Sequence, residues 1–284
     1  WEMHLHQEIA QSLAGRTAIA ELLPLSIAEL TLAGIQLERD QYILNGFMPR
    51  LYDENIPSDL LYPNYYNTYV EKDVRQLINL GNQSAFETFL KLLAGRIGQV
   101  VNLNSMAGDI GVSSTTLASW LSVLEASYIV FRLPCYFNNF GKRLIKSPKI
   151  YFTEIGLATN LLGIEKLEQV ARDPIFGGLF ENMVVLEALK ARFNAGKQPE
   201  LYYFRDHNGL EVDLILNESR ALRPFEIKSA MTWNSSFASN LKKFMKLSDE
   251  IHDPTVIYAG DLTPETESAR YINFRDTAKA VIPK

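Results

Sequence analysis

Two short runs near the end of the chain, EVDLI and FEIKS, hold the residues best suited to chemistry: Asp213 in the first, Glu226 and Lys228 in the second. Alternation along a strand puts Glu226 and Lys228 on one face, with Phe225 and Ile227 on the other. On the preceding strand Leu210, Val212, Leu214 and Leu216 share a face and leave Asp213 on the opposite one. A hairpin centred on Ser219-Arg220 then sets Asp213 directly across from Glu226, with Cβ atoms roughly 4.5–5.5 Å apart. Two carboxylates that close repel unless a cation lies between them. Mg²⁺, a hard ion that prefers oxygen, suits Asp213 and Glu226 as ligands. Such an ion lowers the pKa of a bound water and polarises a phosphodiester. Lys228 beside it would orient the water or stabilise the developing charge. Glu181, early in the preceding helix on the side of Val185 and Ala188, adds a further acid. The same spacing also describes a solvated strand face of alternating charge, and spacing alone does not separate the two.

The one concentrated basic run is Lys142, Arg143, Lys146 and Lys149. It suits nucleic-acid phosphates, because affinity for them comes from positive charge; a solvated loop or a contact with another domain explains it equally. Between Arg96 and Arg132 there is no Lys or Arg. With 28 Lys+Arg against 33 Asp+Glu the formal net charge is −5, which argues against binding nucleic acid by bulk charge. A single cysteine, Cys135, excludes a disulfide framework and a multi-Cys zinc site, and suits a reducing, cytoplasmic compartment. The longest uncharged stretch, Ile110–Leu124, is rich in Ser and Thr and falls short of the ~20 apolar residues that cross a bilayer.

The elements that must position these residues follow from periodicity. Ala18–Leu25 has the pattern of a buried strand ended near Pro24, and Ser26 with Glu29 forms a capping box for a short helix. Asn64–Ile78 is expected to be helical. Phe86, Phe89, Leu90, Leu93 and Ile97 make a core-facing helical stripe. A helix over Leu103–Ile110, a turn at Gly111–Ser113 and a helix capped by Ser114, with Leu117, Trp120, Leu121 and Leu124 on one face, come next. Strands Tyr128–Leu133 and Lys149–Thr153 complete the order of a winged helix-turn-helix. Beyond a loop-rich join at Gly163–Gly178 the pattern becomes helix Phe180–Phe193, then strands Leu201–Phe204 and Leu210–Leu216 about an Asn-Gly turn. Strand Leu222–Lys228, a helix near Ser236–Leu247 and strand Thr255–Tyr258 follow.

D-x12-E-x-K after a helix with an early Glu resembles the PD-(D/E)XK nuclease fold of restriction enzymes and junction resolvases. Segments over nearly the whole chain are similar to bacterial and archaeal AAA-type ATPases with a C-terminal nuclease-like domain of unknown function. They are SLAGR (Ser12–Arg16), LLPLS (Leu22–Ser26), GFMPR (Gly46–Arg50), YNTYVEKDV (Tyr66–Val74), NFGKRLIKSPKIYF (Asn139–Phe152), GLATNLLG (Gly156–Gly163) and GLFEN (Gly178–Asn182). The resemblance implies an α/β protein in three parts. Residues 1–50 would be the remnant of a P-loop ATPase core, 51–155 a helical and winged-helix domain, and 156–284 the nuclease-like domain. No GxxxxGK[ST] occurs, since Gly141-Lys142 precedes Arg143 and Gly196-Lys197 precedes Gln198; the phosphate-cradling loop is not among these residues. ATP therefore belongs to a fuller protein, in which Arg16 would approach the nucleotide; a surface arginine after a turn is the other account.

The chain is thus expected to be the C-terminal part of an AAA-type ATP-binding protein that links nucleotide state to DNA binding or processing. Its catalytic set would be Glu181, Asp213, Glu226 and Lys228 with Mg²⁺. The expected partners are DNA, an N-terminal ATPase domain and further copies of the chain, with no membrane. The alternative is a nuclease fold kept as a non-catalytic interaction module beside a protein-binding winged helix.

Overall fold

The computed structural model describes residues 20–74, 83–136, 147–218 and 221–282. Arg16, Lys142, Arg143 and Lys146 lie outside the described residues. The fold is mixed α/β: helices fill the first half, and a six-stranded mixed sheet with its own helices fills the second. No described helix is long and apolar enough to cross a membrane.

The strand expected over Ala18–Leu25 does not form over residues 20–25. Among the described residues no neighbouring strand accepts it: the Leu25 N–H donates to the Phe47 carbonyl, and Leu22 is 85% exposed. The capping box is present, with Ser26 and Glu29 satisfying each other's main-chain N–H at the start of α1 (Ile27–Leu32). Helices α2 (Arg39–Asn45) and α3 (Pro49–Asp53) follow, and α4 (Ser58–Tyr65) continues as a π-helix over Tyr66–Val74.

Helices α5 (Gln83–Ala94) and α7 (Ser114–Ala126) bury the expected stripes, including Phe89, Leu93, Leu117 and Leu124, and α6 (Leu103–Ile110) forms between them with Met106 buried. The cap of α7 is Ser113 rather than Ser114, since the Ser113 hydroxyl accepts from the Thr116 N–H. That bond needs the extended backbone of a residue just outside the helix. Strands β1 (Val130–Leu133) and β2 (Lys149–Phe152) pair antiparallel, with Leu133 opposite Lys149. Helices α8 (Ile155–Leu161) and α9 (Leu167–Val170) lead to the long α10 (Phe176–Asn194).

The large sheet has the order β3-β4-β5-β6-β8-β7. Strands β3 (Leu201–Arg205), β4 (Glu211–Glu218) and β5 (Ala221–Lys228) are antiparallel neighbours; β6 (Thr255–Tyr258) and β8 (Ala269–Asn273) run parallel to β5. Strand β7 (Glu265–Thr266), β8 and the closing helix α12 (Thr277–Val281) carry no clear sequence signal. The helix expected near Ser236–Leu247 is a composite, α11 (Ser239–Phe244) flanked by 3₁₀ turns.

One buried cluster runs from Ile27 through the helical half to Phe180, Leu214, Phe225 and Val281; a smaller one, with Phe204, Val212, Ile215 and Leu241, covers the other sheet face. Two buried polar knots brace the packing, the first joining α10 to the first described segment and the second lying among the helices of the first half. Lys190 of α10 donates to the Leu25 carbonyl (2.8 Å), pairs with Glu187 (2.9 Å) and lies 3.8 Å over the Phe47 ring, while Glu187 accepts from the Ile27 N–H. Glu154 accepts from the Phe47 N–H, the Gly156 N–H and the Tyr62 hydroxyl, each at 3.0 Å. Gly156 is required there, because a Cβ on it would lie 2.2 Å from the Tyr62 ring.

Candidate acidic site

Strands β4 and β5 pair in the register that a Ser219-Arg220 centre implies, from Glu218–Ala221 to Leu214–Phe225; residues 219–220 themselves lie outside the described ones. One step further Asp213 would face Glu226, but the ladder has changed by then. Between β3 and β4 the register shifts: Tyr202 pairs with Ile215 and Phe204 with Val212, so Tyr203 opposes both Asp213 and Leu214. This β-bulge corrects the expected face. Val212 joins Ile215 in the smaller core, while Leu214 and Leu216 join the larger one. A bulge re-aims the extra side chain. The Asp213 carboxylate accepts from the Ile227 N–H at 2.8 Å, past the last β4–β5 pair, and lies 3.8 Å from the Lys228 ammonium.

Glu226 and Lys228 share a face as alternation requires, with their side chains 2.7 Å apart, and Phe225 and Ile227 enter the larger core. The second Glu226 oxygen, Oε2, is buried without a hydrogen-bond partner. Burial, then the neighbouring Asp213 charge, pushes the Glu226 carboxyl up to about 8. Lys228 is held above its usual range: Asp213 and Glu226 together outweigh the burial that would lower it.

Glu181 enters from the second turn of α10. The side chain of its neighbour Asn182 accepts from the Phe152 N–H (2.7 Å) and donates to the Phe152 carbonyl (2.9 Å), which clamps α10 along β2. Glu181 Oε1 then accepts from the Tyr151 hydroxyl (2.6 Å) and pairs with Lys149 (2.9 Å). Lys149 also pairs with Glu211 (2.6 Å), and Arg205 lies 3.4 Å from Glu211 at the rim. Burial raises the Glu181 carboxyl to about 7, against the opposing pull of Lys149. Gly98, at φ +70°, lets this corner close: a Cβ there would sit 3.3 Å from the Glu181 carboxyl.

The structure therefore brings Glu181, Asp213, Glu226 and Lys228 together. It removes Lys149 from the expected nucleic-acid-binding run, since the side chain is 2% exposed and faces two carboxylates. The reason is local. All four residues of β2 are buried, between β1 on one edge and an isolated bridge to Val100 on the other, so a lysine there must find counter-charges inside. Tyr151 and Glu211 were also missed. The signals were slight: Lys149 and Tyr151 alternate along KIYF, and Glu211 precedes Asp213 by two.

Four carboxylates thus share two ammonium groups and one rim guanidinium. Among the described residues no group of three or more His, Cys, Asp or Glu side chains is arranged to hold a metal ion. Asp213 and Glu226 remain as a two-carboxylate donor set with one partnerless buried oxygen. That set fits Mg²⁺, which usually takes one or two carboxylates and completes its shell with waters and substrate phosphates. It does not fit a closed protein cage.

Comparisons with known proteins divide the chain across this same site. Residues 176–276 match a family model described as a domain of unknown function, DUF4143. That span contains Glu181, Glu211, Asp213, Glu226 and Lys228. Residues 36–168, with Lys149 and Tyr151, match a second domain of unknown function, DUF8612. The uncharacterized protein Rv2008c of Mycobacterium tuberculosis is 31% identical over 225 residues, 78% of this chain and 49% of its own length; the uncharacterized protein Mb2031c of Mycobacterium bovis matches to the same extent. The uncharacterized protein MJ1637 of Methanocaldococcus jannaschii is 29% identical over 117 residues, 40% of this chain and 24% of its own. The chain spans about half the length of the mycobacterial relatives it matches.

Proposed function

We propose that the C-terminal sheet is a PD-(D/E)XK-type domain and that its acidic site hydrolyses phosphodiesters in DNA with Mg²⁺. The observation that carries this reading is the bulge. It lifts Asp213 out of the ladder, against Lys228 and beside the Glu226 carboxylate whose buried Oε2 lacks a partner. A strand face kept only for solvation would have no reason to bury that oxygen. Asp213 and Glu226 would hold the ion. Once bound, Mg²⁺ supplies the charge that lowers the pKa of a water and neutralises a phosphate. Lys228, kept protonated by its two acidic neighbours, stabilises the charge that builds on phosphorus oxygens. Glu181 assists as a further acid. In the same reading α5–α7 with β1–β2 form a winged helix, and the chain belongs to an AAA-type ATP-binding protein. Arg16 would approach the ATP, and Lys142, Arg143 and Lys146 would meet DNA phosphates. The division at residues 50 and 155 and self-association are part of the same proposal.

The test is cleavage of linear, single-stranded and branched DNA with Mg²⁺ or Mn²⁺, with Asp213→Asn as control. Cleavage by the parent and its loss in the variant is the expected result. A second reading, a non-catalytic interaction module, is favoured by the double pairing of Lys149, which already neutralises part of the acidic cluster. No cleavage, together with no metal-dependent shift in melting temperature, would decide for that module.

A further inference from the structure

The DUF4143 span supplies Asp213, Glu226 and Lys228, but it does not hold Glu181 in place unaided. The carboxyl of Glu181 is fixed by the Lys149 ammonium and the Tyr151 hydroxyl, both on β2, and by the clearance at Gly98. Lys149 also reaches Glu211, two residues before Asp213 on β4, and lies 5.5 Å from the Tyr203 ring, the residue opposite the bulge. A single buried ammonium therefore touches the helix acid and the bulged strand together. We infer that Lys149, with Tyr151, is a positioning residue of the acidic site, so that the site is completed by the helical region upstream of the sheet. This inference rests on the nuclease reading and adds to it a dependence on β2.

The geometry makes the role specific. Lys149 has almost no solvent to fall back on, and its removal leaves the half-buried Glu181 and Glu211 without their shared cation, with only Arg205 at the rim left to Glu211. Glu181 would then turn toward whatever donors remain. Tyr151 offers a milder perturbation, since Tyr151→Phe removes one donor without changing charge or shape.

The experiment uses the full chain with Lys149→Met, Lys149→Arg, Tyr151→Phe, Glu181→Gln and the double variant Lys149→Met/Glu181→Gln. In the metal-free protein, urea unfolding should show Lys149 and Glu181 coupled by about tenfold in the unfolding constant. In Mg²⁺-dependent DNA cleavage, Lys149→Met should lower kcat by about tenfold or more with KM little changed, the mark of lost positioning. Tyr151→Phe should lower it less, Lys149→Arg should restore much of it, and Lys149→Met should add nothing to Glu181→Gln. Coupling in unfolding with kcat unchanged in Lys149→Met and Tyr151→Phe would overturn the inference, leaving a structural ion pair only. Independent, multiplicative losses in the two single variants would overturn it as well. Should Lys149→Met not fold, Tyr151→Phe and Lys149→Arg decide the matter by the same kcat criterion. A parent that cleaves none of the DNAs would overturn the nuclease reading itself, and this inference with it.

Discussion

At the scale of single residues, the acidic site is a place where burial favours the protonated form of a carboxyl. Glu181 and Glu226 hold protons in the folded chain at pH values where the unfolded chain, with carboxyls near 4.5, has released them. Their folded pKa values are raised, so the stability they contribute is complete below pH about 4.5 and is lost as pH climbs through about 7 and 8. A metal-free melting curve should therefore move to lower temperature across that window. Glu226→Gln, which stays neutral, should match the parent in acid and melt higher than the parent above pH about 8. A parent curve that is flat or rising there would show that Glu226 ionises without penalty. The register of β4 on β5, from Glu218–Ala221 to Leu214–Phe225, was legible in the sequence because a hairpin centre fixes every pair by counting. The aim of the Asp213 carboxylate was not, because a bulge leaves the residue types unchanged and alters only which neighbour they meet. Lys149 was illegible for a related reason. A lysine in a basic run looks solvated until the two edges of its strand are known to be covered.

At the scale of elements, periodic stripes fared best: α5 and α7 bury what their 3.6-residue pattern turns to the core. Elements defined by partners fared worst. Residues 20–25 are apolar enough for a strand yet find no edge among the described residues, whereas β8 forms beside β6 from a run with little alternation. The interlock of α4, α8 and the turn before α3 depends on contact at atomic range, with Gly156 under the Tyr62 ring and Glu154 collecting three donors. Gly156→Ala has no room for its methyl group and should cost about 3 kcal/mol in urea unfolding. A loss below about 1 kcal/mol would mean that Tyr62 can turn aside without losing its bond to Glu154.

At the scale of the whole molecule, α10 is the member that every region touches: the first described segment through Lys190 and Glu187, β2 through Asn182, and the sheet through the shared core. Lys190→Met would strand the buried Glu187 charge and should cost about 3–5 kcal/mol. Adding Glu187→Gln should recover part of that loss; a double variant no more stable than Lys190→Met would mean that the lysine acts through the Phe47 ring and the Leu25 carbonyl alone. The extra residue in β4 has a further consequence for the molecule as a unit. Asp213 is supernumerary to the β3–β4 ladder. Without it Tyr203 would pair with Leu214 alone, Val212, Leu214 and Ile215 would alternate between the two cores, and the β5 pairs from Leu214 onward would stand as they are. The loss of one codon would thus yield a more regular sheet with no site. Persistence of that codon in a lineage would be an exacting test of whether the proposed chemistry is in use, more exacting than persistence of the fold around it.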